Sequence, residues 1–202
     1  MDPIQRLSDL FEKFPGIGPR QARRFVQYLL SEQPSYRTSL ADAIRFLGSQ
    51  TSQCKTCFRW FVKTPRSLAQ CSICSEVSRD KRILFIVEKD ADIENVERSG
   101  FTGLYFVLGG TIPLASEDPE RFIRLRELLS RVTSEAQELQ EVILGLSATT
   151  EGDHTRLLIQ EKLLPLSQGS FKLTSLGRGL STGSELEYAD PDTIQSALQS
   201  RT

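Results

Sequence analysis

The sequence predicts an α/β protein: an open, mostly parallel sheet with helices on both faces, preceded by a helical region and a small four-cysteine knuckle. Three observations predict it. From residue 83 onward, short and fully apolar runs alternate with amphipathic stretches. Buried parallel strands read as such continuous runs, and β-α-β-α alternation makes an open sheet covered on both sides. Upstream of residue 54, apolar residues recur at helical spacing around a Pro-Gly-Ile-Gly break. Between the two regions, all four cysteines of the 202-residue chain fall within one 21-residue window.

Each element has its own signal. Asp2 caps a first helix, Pro3 suits its first turn, and Ile4, Leu7, Leu10, Phe11 and Phe14 form one apolar stripe. Pro15-Gly16-Ile17-Gly18 ends it. Pro19 starts a second helix with a stripe of Ala22, Phe25, Val26, Leu29 and Leu30. A short third helix is expected over 39–47, with Leu40, Ala43, Ile44 and Leu47 facing inward. Beyond the cysteines, strands are expected at 83–87, 104–108, 142–146 and 171–176. Helices are expected near 92–99, 119–132 and 154–164; Phe122, Leu125, Leu128, Leu129 and Val132 give the second its stripe. Residues 177–184, rich in Gly and Ser, read as a loop. Asp190 and Pro191 cap and start a terminal helix to about residue 198. The expected parts are 1–53, 54–75, 80–176 and 177–202.

Composition, at 25% charged and 39% hydrophobic residues, fits a soluble globular protein. No apolar run reaches the ~18 residues of a membrane span. The first residues lack a basic region followed by an apolar core, so no secretory signal is expected. Thiolates bound to metal suit a reducing cytoplasm. The net charge of −1 hides an asymmetry: residues 1–82 hold 14 Lys/Arg against 7 Asp/Glu, whereas residues 83–202 hold 11 against 19. A basic part facing a polyanion, joined to an acidic part with another task, follows from +7 and −8, although chance clustering on a solvated surface gives the same totals.

The cysteines stand as Cys54-Lys-Thr-Cys57 and Cys71-Ser-Ile-Cys74. Two such pairs bring four thiolates to one tetrahedral point, which is a closed, structural Zn²⁺ site, one ion per chain. Two disulfides or four separate buried thiols are the rival readings. Lys55, Arg59, Lys63 and Arg66 lie in or beside the window with Phe58, Trp60 and Phe61. Such a mixture suits phosphate contact and base stacking, but the aromatics serve equally as the knuckle's small core, the reading favoured here.

The break Phe14-Pro15-Gly16-Ile17-Gly18-Pro19-Arg20 sits between two amphipathic helices. Gly16 and Gly18 allow a tight turn with uncovered N–H groups, and the second helix's positive end points the same way. Arg20 and Arg24, four apart, share a face beside it. This arrangement grips a nucleic-acid backbone without reading sequence; an ordinary helix-helix turn is the rival.

Acidic groups end two of the expected strands. Glu88 follows the first, with Asp90 and Asp92 after it. Glu151 and Asp153 follow the third in Ser147-Ala148-Thr149-Thr150-Glu151-Gly152-Asp153-His154. Carboxyl ends of parallel strands are where open sheets bind ligands, and Glu88 with Asp153 could share Mg²⁺. However, no aspartate pair ends the third strand, and Asp153 at a helix start suits dipole compensation. His154, the sole histidine, reads as a helix-surface residue. Gly109-Gly110 alone is weak evidence for phosphate binding.

In this order the chain resembles the bacterial recombination mediator RecR family over nearly its whole length. The resemblance rests on Phe14–Gly18, the cysteine window followed by Arg79-Asp80, and Ile86-Val87-Glu88. It rests further on Val107-Leu108-Gly109-Gly110, Thr150-Glu151-Gly152 and Leu186-Glu187-Tyr188-Ala189-Asp190. The resemblance implies a helix-hairpin-helix, a C4 zinc finger, a Toprim domain and a short C-terminal segment with a Walker-B-like motif. It also implies DNA repair with the partners RecO and RecF, loading of RecA onto single-stranded DNA coated with single-strand-binding protein, and assembly into a ring or clamp. Arg20 and Arg24 fall at the family's DNA-contact positions and Cys54, Cys57, Cys71 and Cys74 at its zinc ligands. Glu88 matches the Toprim glutamate, and Glu151 lies in the partner-contacting loop, beside Asp153. His154 stands where a small residue is the family pattern, and Gly109–Pro113 departs slightly. A non-enzymatic DNA-binding mediator is therefore expected. The alternatives are a Mg²⁺-dependent Toprim nuclease or topoisomerase-like enzyme using Glu88 and Asp153, and a zinc-dependent scaffold that touches DNA weakly.

Overall fold

The computed structural model describes residues 2–65, 69–116, 118–167, 169–177, 179–180, 183 and 185–199. Arg66 and much of the expected 177–184 loop lie outside the described residues. The chain folds as two compact units, Met1–Ser52 and Gln53–Thr202.

The first unit is helical. In α1 (Pro3–Phe11) the Ile4 N–H donates to the Asp2 carboxylate at 2.9 Å, and Pro3 fills the first turn, where its missing N–H costs nothing. Gly16 turns the chain with φ +77°, a conformation that penalises any Cβ, and α2 (Pro19–Ser31) follows Gly18. Ala22 and Val26 of α2 are buried together with Ser8 of α1, and the Phe11 and Phe25 rings meet edge-on at 5.6 Å. Pro34 opens α3 (Pro34–Gln50) five residues earlier than the expected helix, and it runs three residues further. Its expected inward face is not buried: Leu40 is half-buried, while Ala43, Ile44 and Leu47 are exposed. The three helices leave an apolar groove of about 700 Å³, lined by Leu7, Phe11, Leu29, Leu40 and Ile44 among others. Two short helices have one side each to give, and the third finds too little apolar surface to cover its stripe.

The second unit starts within β1 (Thr51–Gln53) and continues through β2 (Trp60–Val62) and the short α4 (Ser72–Ser75). There follow β3 (Asp80–Val87), α5 (Asp90–Arg98), β4 (Gly103–Val107), a 3-10 turn at Pro119–Arg121, α6 (Leu125–Glu135), β5 (Glu141–Gly145), α7 (Thr150–Ser167) and β6 (Lys172–Ser175). Another 3-10 turn, Leu186–Tyr188, precedes α8 (Pro191–Gln199). Asp190 caps α8 by accepting from the Thr193 N–H at 2.9 Å.

The expected single helix over 119–132 is broken. Arg124 leaves helical geometry at ψ +57°, and its N–H instead donates to the Leu108 carbonyl at 2.9 Å. Phe122 thereby falls outside α6 and is exposed. The helix expected at 154–164 begins four residues earlier, which brings Glu151 and Asp153 into its first turn.

The sheet runs β4-β3-β5-β6, and its strand pairs are parallel. Leu84 and Ile86 of β3 face one way, with Phe106, Leu128 and Val132 of α6 and Ile159 and Leu163 of α7. Phe85 and Val87 face the other way, with Tyr105, Val107 and Ile93 of α5; Cys54, Cys57, Cys71 and Ile73 belong to the same cluster. Only α5 among the connecting helices covers that face. The cysteine knuckle fills the rest, so it is part of the domain core and not an appendage. Because the chain leaves β3 toward β4 on one side and returns to β5 on the other, the topological switch point lies between the carboxyl ends of β3 and β5.

Candidate nucleic-acid interface, metal centre and sheet-end site

The hairpin places its charges on one side of α2. Arg20, Arg23 and Arg24 are exposed; Arg20 and Arg24 lie on the face opposite buried Ala22 and Val26, and Arg23 flanks it. None of the three makes an ion pair or hydrogen bond among the described residues. Arg20 sits in the first turn, which holds no acidic side chain, so a cation stands at the positive end of the helix dipole without compensation. An anion at that end would relieve it. A Cβ on Gly18 would meet nothing within 4 Å, so its glycine leaves the α2 amides open to close approach and is not needed for packing. Arg23 was not singled out by the sequence, although its i+3 spacing from Arg20 is the signal that finds it.

The four cysteines converge. Their Sγ atoms all lie within 4.8 Å of one another, and Cys57 and Cys71 are 3.6 Å apart. That is far beyond a disulfide bond and close to the ~3.8 Å edge of a tetrahedron with metal–sulfur bonds of ~2.3 Å. The Cys71 N–H donates to Cys54 Sγ at 3.4 Å, a contact that favours a thiolate. Hydrogen bonds from Cys57 hold the Cys54 thiol well below the usual thiol range; the same contact pushes Cys57 up, and Cys74 is pushed up first by Cys54. The group can hold a metal ion, and an all-sulfur donor set with no open position gives that ion a structural role.

The knuckle is fastened to the sheet by polar contacts as well. The Val107 N–H donates to the Cys57 carbonyl at 2.8 Å, and the Trp60 N–H to Asp90 Oδ1 at 2.9 Å. Phe58 adopts φ +63° and stacks edge-on against Phe106 at 5.4 Å, with the Arg124 guanidinium 5.5 Å over its ring. Phe58 and Phe61 pack against the core, whereas Trp60 is 56% exposed, so the small-core reading holds for two of the three aromatics. Arg131, which no motif announced, is buried in α6 and donates through Nη1 to the carbonyls of Thr56 and Tyr105 at 3.1 and 2.8 Å. An arginine one residue before Val132 in an apolar stripe is its only sequence signal.

At the switch point Glu88 is 7% exposed. Burial pushes its carboxyl up, but the Lys89 ammonium at 2.9 Å and the Ser147 hydroxyl outweigh this and hold it below the ordinary range. Asp90 is committed to Trp60, and Asp92 accepts from the Lys89 N–H at 2.7 Å as a cap of α5. Asp153 pairs with Arg156 at 3.2 Å, and Glu151 is exposed in the first turn of α7. Among the described residues, no three carboxylates converge here as metal ligands. Gly109 has φ +104°, and a Cβ there would lie 2.6 Å from Arg124 Nη1, so this glycine makes room for the protein's own guanidinium.

Comparison with known proteins agrees with this architecture. Residues 4–46 match the helix-hairpin-helix of RecR, 82–174 a Toprim domain, and 179–202 the C-terminal region of RecR. The recombination protein RecR of Herpetosiphon aurantiacus is 40% identical, over 99% of this chain and 94% of the relative. That of Chloroflexus aurantiacus is 40% identical over 98% and 93%, and that of Prochlorococcus marinus 37% over 99% and 96%. With a basic helical hairpin, a four-cysteine cluster and a parallel Toprim sheet in that order, the chain belongs to the RecR family of recombination proteins.

Proposed function

We propose that the protein is a non-enzymatic mediator of DNA recombination and repair that binds single- and double-stranded DNA without sequence preference. Arg20 and Arg24, with the open backbone at Gly16 and Gly18, contact phosphates. Zn²⁺ on Cys54, Cys57, Cys71 and Cys74 holds the knuckle against the sheet. Glu88, Glu151 and Asp153 mark the edge that meets a protein partner. In this reading the protein works in the cytoplasm with RecO and RecF to load RecA onto single-stranded DNA coated with single-strand-binding protein. The exposed apolar groove of the first unit supports self-association into a ring or clamp. A Mg²⁺-dependent reaction through Glu88 and Asp153 finds little support, because Asp153 is paired with Arg156. In this reading 1–53 is the DNA-binding part, and 54–75, 80–176 and 177–202 are the zinc knuckle, Toprim and C-terminal parts of the second unit.

The observation that carries this reading is the uncompensated arginine face at the start of α2. Replacing Arg20 and Arg24 with alanine should weaken binding to all DNA sequences alike. It should also flatten the dependence of log K on log salt by about 2 phosphate contacts. Anisotropy titrations over a salt series measure both; equal slopes and affinities would remove the hairpin from the interface.

A further inference from the structure

The cationic face of α2 does not end at Arg24. Arg20, Arg24 and Tyr28 follow one another four residues apart, so each stands about 6 Å further along the helix and about 40° further around it. Tyr28 therefore lies one turn beyond Arg24, on the side away from buried Ala22 and Val26. It is 52% exposed, and Tyr36 of α3, 43% exposed, meets its ring edge-on with centroids 6.1 Å apart and planes at 84°. The pair stands on a fixed base. Arg37 Nη1 donates to the carbonyls of Leu29 and Glu32 at 3.0 and 2.6 Å, which ties the start of α3 to the end of α2. A hydrogen bond to Glu32 pushes the Tyr28 hydroxyl above its usual range, so the ring stays neutral beside phosphates.

Within its span α2 holds three arginines without an ion pair and no carboxylate, so the strip that leads to Tyr28 is cationic throughout. A cationic track that ends on an open aromatic ring suits a single strand: phosphates follow the charges, and a base stacks on the ring. In a duplex each base is already stacked within the helix and offers no free face along its length. We propose that Tyr28, propped by Tyr36, is a stacking platform for an unpaired base, which makes the hairpin prefer single-stranded over double-stranded DNA. The platform rests on the DNA-binding reading and adds to it the strand state that the site selects. Stacking is blind to base identity, in keeping with binding without sequence preference.

The test uses the full-length, zinc-loaded protein with fluorescent oligo-dT and a duplex of equal length, titrated by anisotropy over a salt series. Tyr28→Leu should bind oligo-dT about fivefold or more weakly and the duplex as wild type does, whereas Tyr28→Phe should keep full affinity for both. Because stacking releases no counterions, the salt slope of Tyr28→Leu should match wild type, unlike that of Arg20→Ala/Arg24→Ala. A loss that falls equally on single strand and duplex, or no loss at all, overturns the platform and leaves the hairpin reading standing. If wild type binds no DNA, or Arg20→Ala/Arg24→Ala binds like wild type, the hairpin reading falls, and the platform with it. Should Tyr28→Leu melt lower than wild type, Tyr28→Trp in a Trp60→Phe background decides. Fluorescence quenched by oligo-dT supports stacking, and unchanged fluorescence on binding excludes it. Light scattering covers the other occupant: a smaller assembly in Tyr28→Leu, with DNA affinity unchanged, would assign the pair to a contact between copies and overturn the nucleic-acid claim.

Discussion

Arg79 and the cysteines show how single side chains tie the knuckle to the sheet. Arg79, 11% exposed, pairs with Glu76 at 3.1 Å and with Glu97, and Glu97 also accepts from the buried Tyr105 hydroxyl at 2.6 Å. The hydrogen bond from Arg79 holds the Glu97 carboxyl below its ordinary range. A carboxyl depressed in the folded state contributes stability that is complete above its unfolded value, about 4.3, and is lost as pH falls through the lower folded one. Glu97→Gln should therefore melt lower than wild type at pH 7, and the gap should close as the pH drops below about 4. Melting curves at pH 7 and 3.5 read this out, and a gap that persists at acid pH would exclude the linkage. For the metal, Cys57→Ser should abolish stoichiometric zinc and destabilise the whole sheet unit by on the order of 4 kcal/mol, since Cys54, Cys57 and Cys71 share a core with Phe85 and Tyr105. Atomic absorption and a thermal melt check both; full zinc content with an unchanged melt would count against four-cysteine ligation.

At the level of elements, backbone contacts between neighbours set the boundaries. α7 begins where Gly152 lies against the preceding loop: a Cβ there would stand 2.1 Å from the Ser147 carbonyl oxygen. The Gly152 N–H donates to Thr149 Oγ1 at 3.1 Å, which secures the same turn. Gly152→Ala must push α7 off Ser147, at a cost of about 1–3 kcal/mol, in spite of alanine's better helix propensity. Because Ser147 is a partner of Glu88, the switch point should shift with it. Urea unfolding measures the cost, and an unchanged midpoint would show that the loop yields freely. Gly145 is bound by the same logic, since a Cβ would fall 2.0 Å from the Phe85 ring.

Across the whole molecule, charge separates two tasks. The basic excess lies in residues 1–82, which hold the exposed arginines of α2 proposed to contact phosphates, while the acidic excess of residues 83–202 includes exposed Glu151 at the start of α7. If Glu151 meets RecO, Glu151→Lys should lower RecO affinity mainly through the association rate, more strongly at low salt, and leave zinc content and DNA binding intact. Surface plasmon resonance at two ionic strengths tests this; equal association rates would remove Glu151 from the docking edge.

Much of this was legible in the residues because the signals are local. The fully apolar runs gave the strands, Asp2-Pro3 and Pro19 the helix starts, and the C-x-x-C spacing the convergence of four sulfurs. These depend on neighbours a few positions away, and backbone geometry converts spacing directly into position. Only the tertiary structure decided what lies far apart in sequence. Arg124 abandons a helical pattern to bond Leu108, and α3 keeps Ile44 and Leu47 exposed because its neighbours offer too little surface. The knuckle covers a sheet face because three crossovers provide one helix for that side and two for the other, a consequence of strand order that no periodicity records.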